Sequence, residues 1–192
     1  MPICQTGLAT HRVGVLRLGK KSIRVAIFCR ARPGLVQAIT SKLHELGANL
    51  GPTSFALLGK GAEFTSVVSV EADREIWEFD SAILVMPELV DAQISVHEYA
   101  FDDGDMKPTP VNMLLTVAGI DRPGLLANLT EFLLELDLQV VRMTTEIAAT
   151  EQDAHFTTRL TVWIDPDNAS DKLDRLTAYA DQHKLTILPI LL

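Results

Sequence analysis

"GIDRPGLLANL", from Gly119 to Leu129, and "CRARPGLVQAI", from Cys29 to Ile39, carry the same Arg-Pro-Gly-Leu core 90 positions apart. In each copy an apolar run precedes the core and an amphipathic run follows it. Upstream, Ile23 to Cys29 (IRVAIFC) aligns with Val111 to Val117 (VNMLLTV), both rich in the apolar and β-branched residues that favour strands. Downstream, Leu35, Ile39, Leu43 and Leu46 recur at helical spacing, as do Leu125, Leu129, Leu133 and Leu136. Pro33 and Pro123 are read as lying in a first helical turn, where the missing N–H costs little. Gly47 then suits a left-handed helix cap, and Asp137 stands there in the second copy.

The parallel runs on. Strand-like runs over Asn49–Leu58 and Phe64–Val70 answer those over Gln139–Ala148 and Phe156–Ile164. "EFTSVVSV" (63–70) matches "HFTTRLTV" (155–162), with two residues added to the second copy's strand-to-strand turn. A further helix is predicted over Arg74–Met86 and Ala169–Gln182, and a closing strand over Gln93–Phe101 and Leu185–Leu191. The order strand, helix, strand, strand, helix, strand is the ferredoxin-like βαββαβ pattern, an antiparallel sheet with helices on one face. The predicted fold class is therefore α+β, with two such units in tandem. The predicted organisation is a basic N-terminal extension (1–21), a first unit (22–101), a polar linker "DDGDMKPTP" (102–110) and a second unit (111–192). A single unit leaves one sheet face bare and its edges unpaired, so the two repeats are expected to pair as a pseudo-dimer.

Composition fits a globular chain: of 192 residues, 47% are hydrophobic and 22% charged. No apolar stretch approaches the roughly 20 residues of a membrane span. The net charge of −8 argues against general nucleic-acid binding, yet the charge is unevenly placed. Residues 1 to 44 hold eight Lys or Arg and no acid, while the remainder holds nine basic and 25 acidic residues. The basic opening suits a partner-binding edge or a targeting segment, but it lacks the Ser richness and amphipathic face of a transit peptide and is read as a solvated extension. Cys4 and Cys29 make no disulfide framework, and Cys29, within an apolar run, is expected to be a buried reduced thiol, as in a cytoplasmic protein.

An apolar strand, then Arg-Pro-Gly-Leu, an amphipathic helix and "GANL" (47–50) resembles the ACT domain, a small ligand-sensing module. Two such domains with no enzyme domain appended resemble the glycine cleavage system transcriptional repressor family, and "FALLGKGAEFTSVVSV" (55–70) is similar to that family's first domain. The resemblance implies a small amino acid held where two domains meet, with glycine and serine leading. One domain would give the loop before its first helix, the other the start of its second strand. Carried onto this chain, the loop position is Ala31 or Asp121, with Gly34 or Gly124 behind it, and the strand position is Asn49 or Gln139. A helix N-terminus presents free N–H groups to a carboxylate, and a side-chain carboxylate suits an ammonium group. Asp121, Gly124, Leu125 and Asn49 are thus expected to form the competent site, with the N–H groups near Gly124 and Leu125 on the ligand's carboxylate. Gly34 and Gln139 would frame a second site that lacks the loop acceptor.

Other readings of the same residues stand beside these. Arg-Pro-Gly also serves as a plain strand-to-helix turn, Asp121 as a helix N-cap and Asn49 as a turn residue. His11, His44, His97, His155 and His183 are scattered without metal-ligand spacing, and Trp77, Trp163, Phe64 and Phe156 are read as core or interface packing. No nucleophile elbow, phosphate loop, dinucleotide fingerprint or Cys–His cluster occurs, so no catalytic residue, metal or cofactor is expected. "DDGD" (102–105) and "DPDN" (165–168) fall in predicted turns. The resemblance implies a non-catalytic regulator, homodimeric, acting on a protein partner in transcriptional control without binding nucleic acid directly. The alternatives are a subunit conferring amino-acid feedback on a metabolic enzyme, and an interaction module whose ligand site is vestigial.

Overall fold

Ile23, Val25, Ile27 and Cys29 alternate with more exposed neighbours, so one face of their strand is apolar and must be covered. In the computed structural model, which describes residues 19–101, 110–149 and 154–192, that strand is β1 (Lys20–Arg30). It is followed by α1 (Leu35–Glu45), β2 (Asn49–Leu58), β3 (Gly61–Glu71), α2 (Ile76–Leu84) and β4 (Gln93–Glu98). The second repeat gives β5 (Met113–Ile120), α3 (Leu125–Glu135), β6 (Gln139–Ala149), β7 (Ala154–Trp163), α4 (Ala169–His183) and β8 (Thr186–Leu191). These elements group into two compact units, β1–β4 and β5–β8.

Each unit is an antiparallel four-stranded sheet, ordered β2-β3-β1-β4 in the first and β6-β7-β5-β8 in the second. Both are ferredoxin-like βαββαβ units. In the first, Leu35, Ile39 and Leu43 of α1 and Phe79 and Ile83 of α2 close over the inner face of β1 and β3. In the second, Leu125, Leu129 and Leu133 of α3 and Leu176 and Ala180 of α4 do the same over β5 and β7. The 3.6-residue period of the helices thus meets the two-residue period of the strands in one core per unit.

Several boundaries differ from the sequence expectation. Lys20 and Lys21 belong to β1 rather than to the basic extension; residues 1–18 of that extension and residues 102–109 of the linker, "DDGD" among them, lie outside the described residues. Helix α2 is shorter than 74–86, because Glu75 is extended ahead of it and Pro87 disfavours helix just behind it. Asp165–Asn168 is a turn, as expected, in which Asp165 Oδ1 accepts from the Asp167 N–H at 3.1 Å just ahead of α4. Trp77 is 66% exposed and is no part of the core, whereas Phe64 and Phe156 are buried.

Measured from the duplicated turn, the starts of β2 and β6 are level. Leu50 pairs with Val68 opposite Ile23, and Val140 pairs with Val162 opposite Met113, Ile23 and Met113 each lying eleven residues before the glycine of its Arg-Pro-Gly. Asn49 and Gln139, one residue earlier, therefore correspond. At the other end Arg30 lies opposite Gly61, which pairs with Leu58, and Ile120 lies opposite His155, which pairs with Ala148. Residues 59–60 are thus answered by residues 149–154, so the second repeat's added length lies on the strand-to-strand side, as the sequence suggests, and amounts to four residues there. Both ladders also carry a register irregularity near the strand start, between Leu50 and Thr53 and between Val140 and Arg142.

Candidate functional site

The duplicated Arg-Pro-Gly forms the same turn twice. Gly34 (φ 81°, ψ −3°) and Gly124 (φ 80°, ψ −4°) are the left-handed residues immediately before α1 and α3. A Cβ at either position would meet nothing within 4 Å, so it is the backbone conformation that favours glycine. The helices therefore begin at Leu35 and Leu125, and Pro33 and Pro123 precede them instead of filling their first turns. Neither helix has a side-chain cap, so Asp121 is not an N-cap. Its N–H donates to the Ala154 carbonyl at 2.7 Å, as the Ala31 N–H donates to Lys60 at 2.9 Å, and its carboxylate is exposed.

The first intrahelical bonds run from the Ala38 N–H to the Gly34 carbonyl and from Asn128 to Gly124, both 2.9 Å. The N–H groups ahead of these have no acceptor in their own helix. In the second repeat the Leu125 N–H is already taken by the Arg122 carbonyl at 3.1 Å. The donors left for an anion there are those of Leu126 and Ala127, one step further into the helix than Gly124 and Leu125.

Both arginines of the duplicated core have structural work that the sequence reading missed. The Arg122 guanidinium donates to the His183 carbonyl at the end of α4, 2.7 Å away, and Arg32 reaches the Pro87 carbonyl beyond α2 at 3.4 Å. Each ties the start of one helix to the end of the other, where unpaired carbonyls and the negative end of the helix dipole favour a cation. Repetition of Arg in both copies was the available signal.

Beside the first turn lies a cleft of about 590 Å³, walled by Ala31 to Gln37 and by Phe55 and Leu57 of β2. Its lining is mainly apolar, with Phe55 and Leu57 themselves 39% and 64% exposed. The adjoining thiol of Cys29 is buried, and burial pushes it above the usual cysteine range, with Arg32 drawing it partly back. A protonated buried thiol is not a nucleophile. Among the described residues no group of three His, Cys, Asp or Glu side chains could hold a metal ion, and no helix is long and apolar enough to cross a membrane.

Strand direction decides which expected site residues can meet. β2 runs from Asn49, opposite Ser69, to Leu58, opposite Gly61, and Gly61 lies opposite Arg30 beside the turn. Asn49 is thus roughly 30 Å from the Gly34 turn along its own sheet. Gln139, opposite Trp163, is likewise at the far end from Asp121, Gly124 and Leu125. Neither unit brings its own turn to its own strand start: Asp121, Gly124 and Leu125 share one turn, with Gln139 at the far end of their unit, and Gly34 and Asn49 are likewise far apart within theirs. Gln139 stands in β6 where Asn49 stands in β2, since the next residues, Leu50 and Val140, pair with Val68 and Val162 opposite Ile23 and Met113, each eleven residues before its glycine.

This architecture has solved counterparts. An unknown protein from Galdieria sulphuraria matches with a TM-score of 0.67 at 20% identity, over 91% of this chain and 99% of that one. A candidate glycine cleavage system transcriptional repressor matches with a TM-score of 0.65 at 13% identity, over 90% of this chain and 98% of the other. The chain has the tandem ACT-like fold. At these identities the likeness is one of fold. No protein-family profile matches the sequence, and no curated protein matches it.

Proposed function

We propose that this chain is a non-catalytic regulator that binds a small amino acid between its two ACT-like units and thereby alters its engagement of a protein partner. The observation that carries the reading is the duplicated turn, in which a left-handed glycine leaves a helix N-terminus open and Asp121 holds an exposed carboxylate that makes no ion pair among the described residues. An α-amino acid needs that pair of features, donors for its carboxylate and an acceptor for its ammonium. β2 and β6 are both edge strands. Antiparallel pairing between them would bring each turn to the other unit's strand start, which is the juxtaposition that one unit alone lacks. Asp121, Gly124 and the first-turn N–H groups of α3 would then face Asn49, while Ala31 and Gly34 would face Gln139 at the start of β6.

The first of these sites has an acceptor for ammonium and a neutral amide; the second has the amide of Gln139 but Ala31 in place of the acceptor. One competent site per chain follows. A ligand that bridges both units favours one relative orientation of them, and this couples binding to a partner. The resemblance of the sequence motifs to the glycine cleavage system transcriptional repressor family makes glycine or serine the ligand to test first and a transcription regulator the expected partner.

The test is thermal unfolding of the chain against the twenty amino acids at millimolar concentration. A ligand at a hundred times its Kd adds about 2.7 kcal/mol, expected as a rise of roughly 5–10 °C. The rise should vanish in Asp121→Ala and shrink in Asn49→Ala. An undiminished rise in Asp121→Ala sinks the assignment.

A further inference from the structure

Helix α2 turns large apolar side chains to solvent. At 100° per residue, its buried Phe79 and Ile83 lie on one side, and the opposite side carries Trp77, Ser81, Leu84 and the flanking Val85. Trp77, Leu84 and Val85 are 66%, 63% and 78% exposed, and Val90 beyond the helix is 58% exposed. Glu78 and Asp80 flank this strip on its two sides. α4, the counterpart in the second unit, exposes no large apolar side chain and turns Asp171, Asp174, Thr177 and Asp181 outward. The fold requires no exposed strip at this place, since the second unit does without it.

The charge around the strip is one-sided. Residues 71–91 contain seven acids and a single base, Arg74. Arg74 is already spent on Glu78, at 2.9 Å. Asp73, Glu75, Asp80, Glu88 and Asp91 make no ion pair among the described residues, and all are exposed except Glu88, which is half-buried. An apolar strip about one helix long, rimmed by unpaired carboxylates, is complementary to a helix with a Leu-type stripe and Lys or Arg at its margins. We infer that the outer face of α2 is the surface on which this protein docks a basic amphipathic helix of its protein partner. The inference rests on the reading that the chain acts through a protein partner; it does not depend on the amino-acid site.

Trp77 is its own reporter, because the chain has only two tryptophans. Full-length Trp163→Phe, which leaves Trp77 alone, is titrated without amino acid with a 14-residue amphipathic Leu/Lys peptide. A scrambled peptide of the same composition and a Leu/Glu peptide serve as controls. The expected result is solvent-exposed emission at the start and a saturable blue shift with the amphipathic Leu/Lys peptide alone, weakened by salt. Leu84→Asp/Val85→Asp should lower the affinity at least about tenfold while circular dichroism stays unchanged. If Trp163→Phe fails to fold, calorimetric titration of the unsubstituted chain gives the same comparison.

Equal binding of the scrambled or Leu/Glu peptide, no saturable binding, or full affinity in the double substitution overturns the inference. Blue-shifted emission before any peptide is added also overturns it. Deleting residues 1–18 and diluting the sample then show whether this chain's own N-terminal segment or a second copy covers Trp77; if neither restores exposed emission, another part of the same chain does. A failed amino-acid response with intact peptide binding leaves the inference standing and removes only the ligand reading.

Discussion

At the strand-to-helix turn the two units match almost bond for bond. Gly34 and Gly124 differ by one degree in φ, the Ala31 N–H donates to Lys60 just ahead of β3 and the Asp121 N–H to Ala154 at the start of β7, and Arg32 and Arg122 reach toward the end of the second helix. The inner faces match as well, with Leu35, Ile39 and Leu43 answered by Leu125, Leu129 and Leu133. Divergence begins where the chain faces outward. The second repeat's strand-to-strand connection is longer, Ala31 becomes Asp121, and the exposed Trp77 strip of α2 is answered on α4 by polar and small residues. The backbone conformation and the core are what both copies need in order to fold. The loop residue, the connection and the outer helix face are free of that constraint, and they are where the two copies differ.

If the cores are equivalent but independently filled, truncating each at its centre should destabilise both, with the larger side chain costing more. Phe79→Ala is expected to lose about 4 kcal/mol and Leu176→Ala about 3 kcal/mol, read from urea unfolding followed by circular dichroism. A loss under about 1 kcal/mol for Phe79, which is 0% exposed, would contradict its place beneath α2.

The turn offers a more exacting comparison. Because an added Cβ meets nothing at either glycine, Gly34→Ala and Gly124→Ala should each cost only the left-handed backbone penalty, about 1–2 kcal/mol. The two values should agree within experimental error. A markedly larger cost at one position would mean that its surroundings are tighter than the open space seen here.

Much of this was legible from the repeat. The strand and helix pattern survives because a buried face leaves a period of 2 or 3.6 in the sequence, and Asn49–Leu58 is a strand over just the residues its pattern marked. The left-handed caps at Gly47 and Asp137 were foreseeable from their position after an amphipathic run. What could not be read was anything set by register. The sequence suggests two residues added to the second strand-to-strand turn, and the ladders put four on that side, with residues 149–154 answering 59–60. A slide of β7 by two residues keeps the same faces inward, so the alternation of apolar residues does not reveal it. The exposure of Trp77 was hidden for a related reason. In α2 every third or fourth residue is apolar on both sides, so its pattern does not say which side is the core.

The smallest expected difference lies in the paired arginines. Arg122 donates to a helix-end carbonyl at 2.7 Å and Arg32 to a carbonyl at 3.4 Å, near the limit of a hydrogen bond. A charged donor in a hydrogen bond contributes about 1.5–3 kcal/mol when sheltered, but both side chains are exposed and solvent competes for them. Arg122→Ala is therefore expected to cost about 1 kcal/mol and Arg32→Ala about 0.5 kcal/mol or less. Lysine should recover less than half of the Arg122 loss, because a point ammonium cannot match the reach and direction of the guanidinium fork. The difference should narrow as salt is added, since part of it is the attraction of a cation to the end of α4. Equal costs at the two positions would mean that the first turn closes in solution as tightly as the second, and that the two turns match in bond strength as well as in shape.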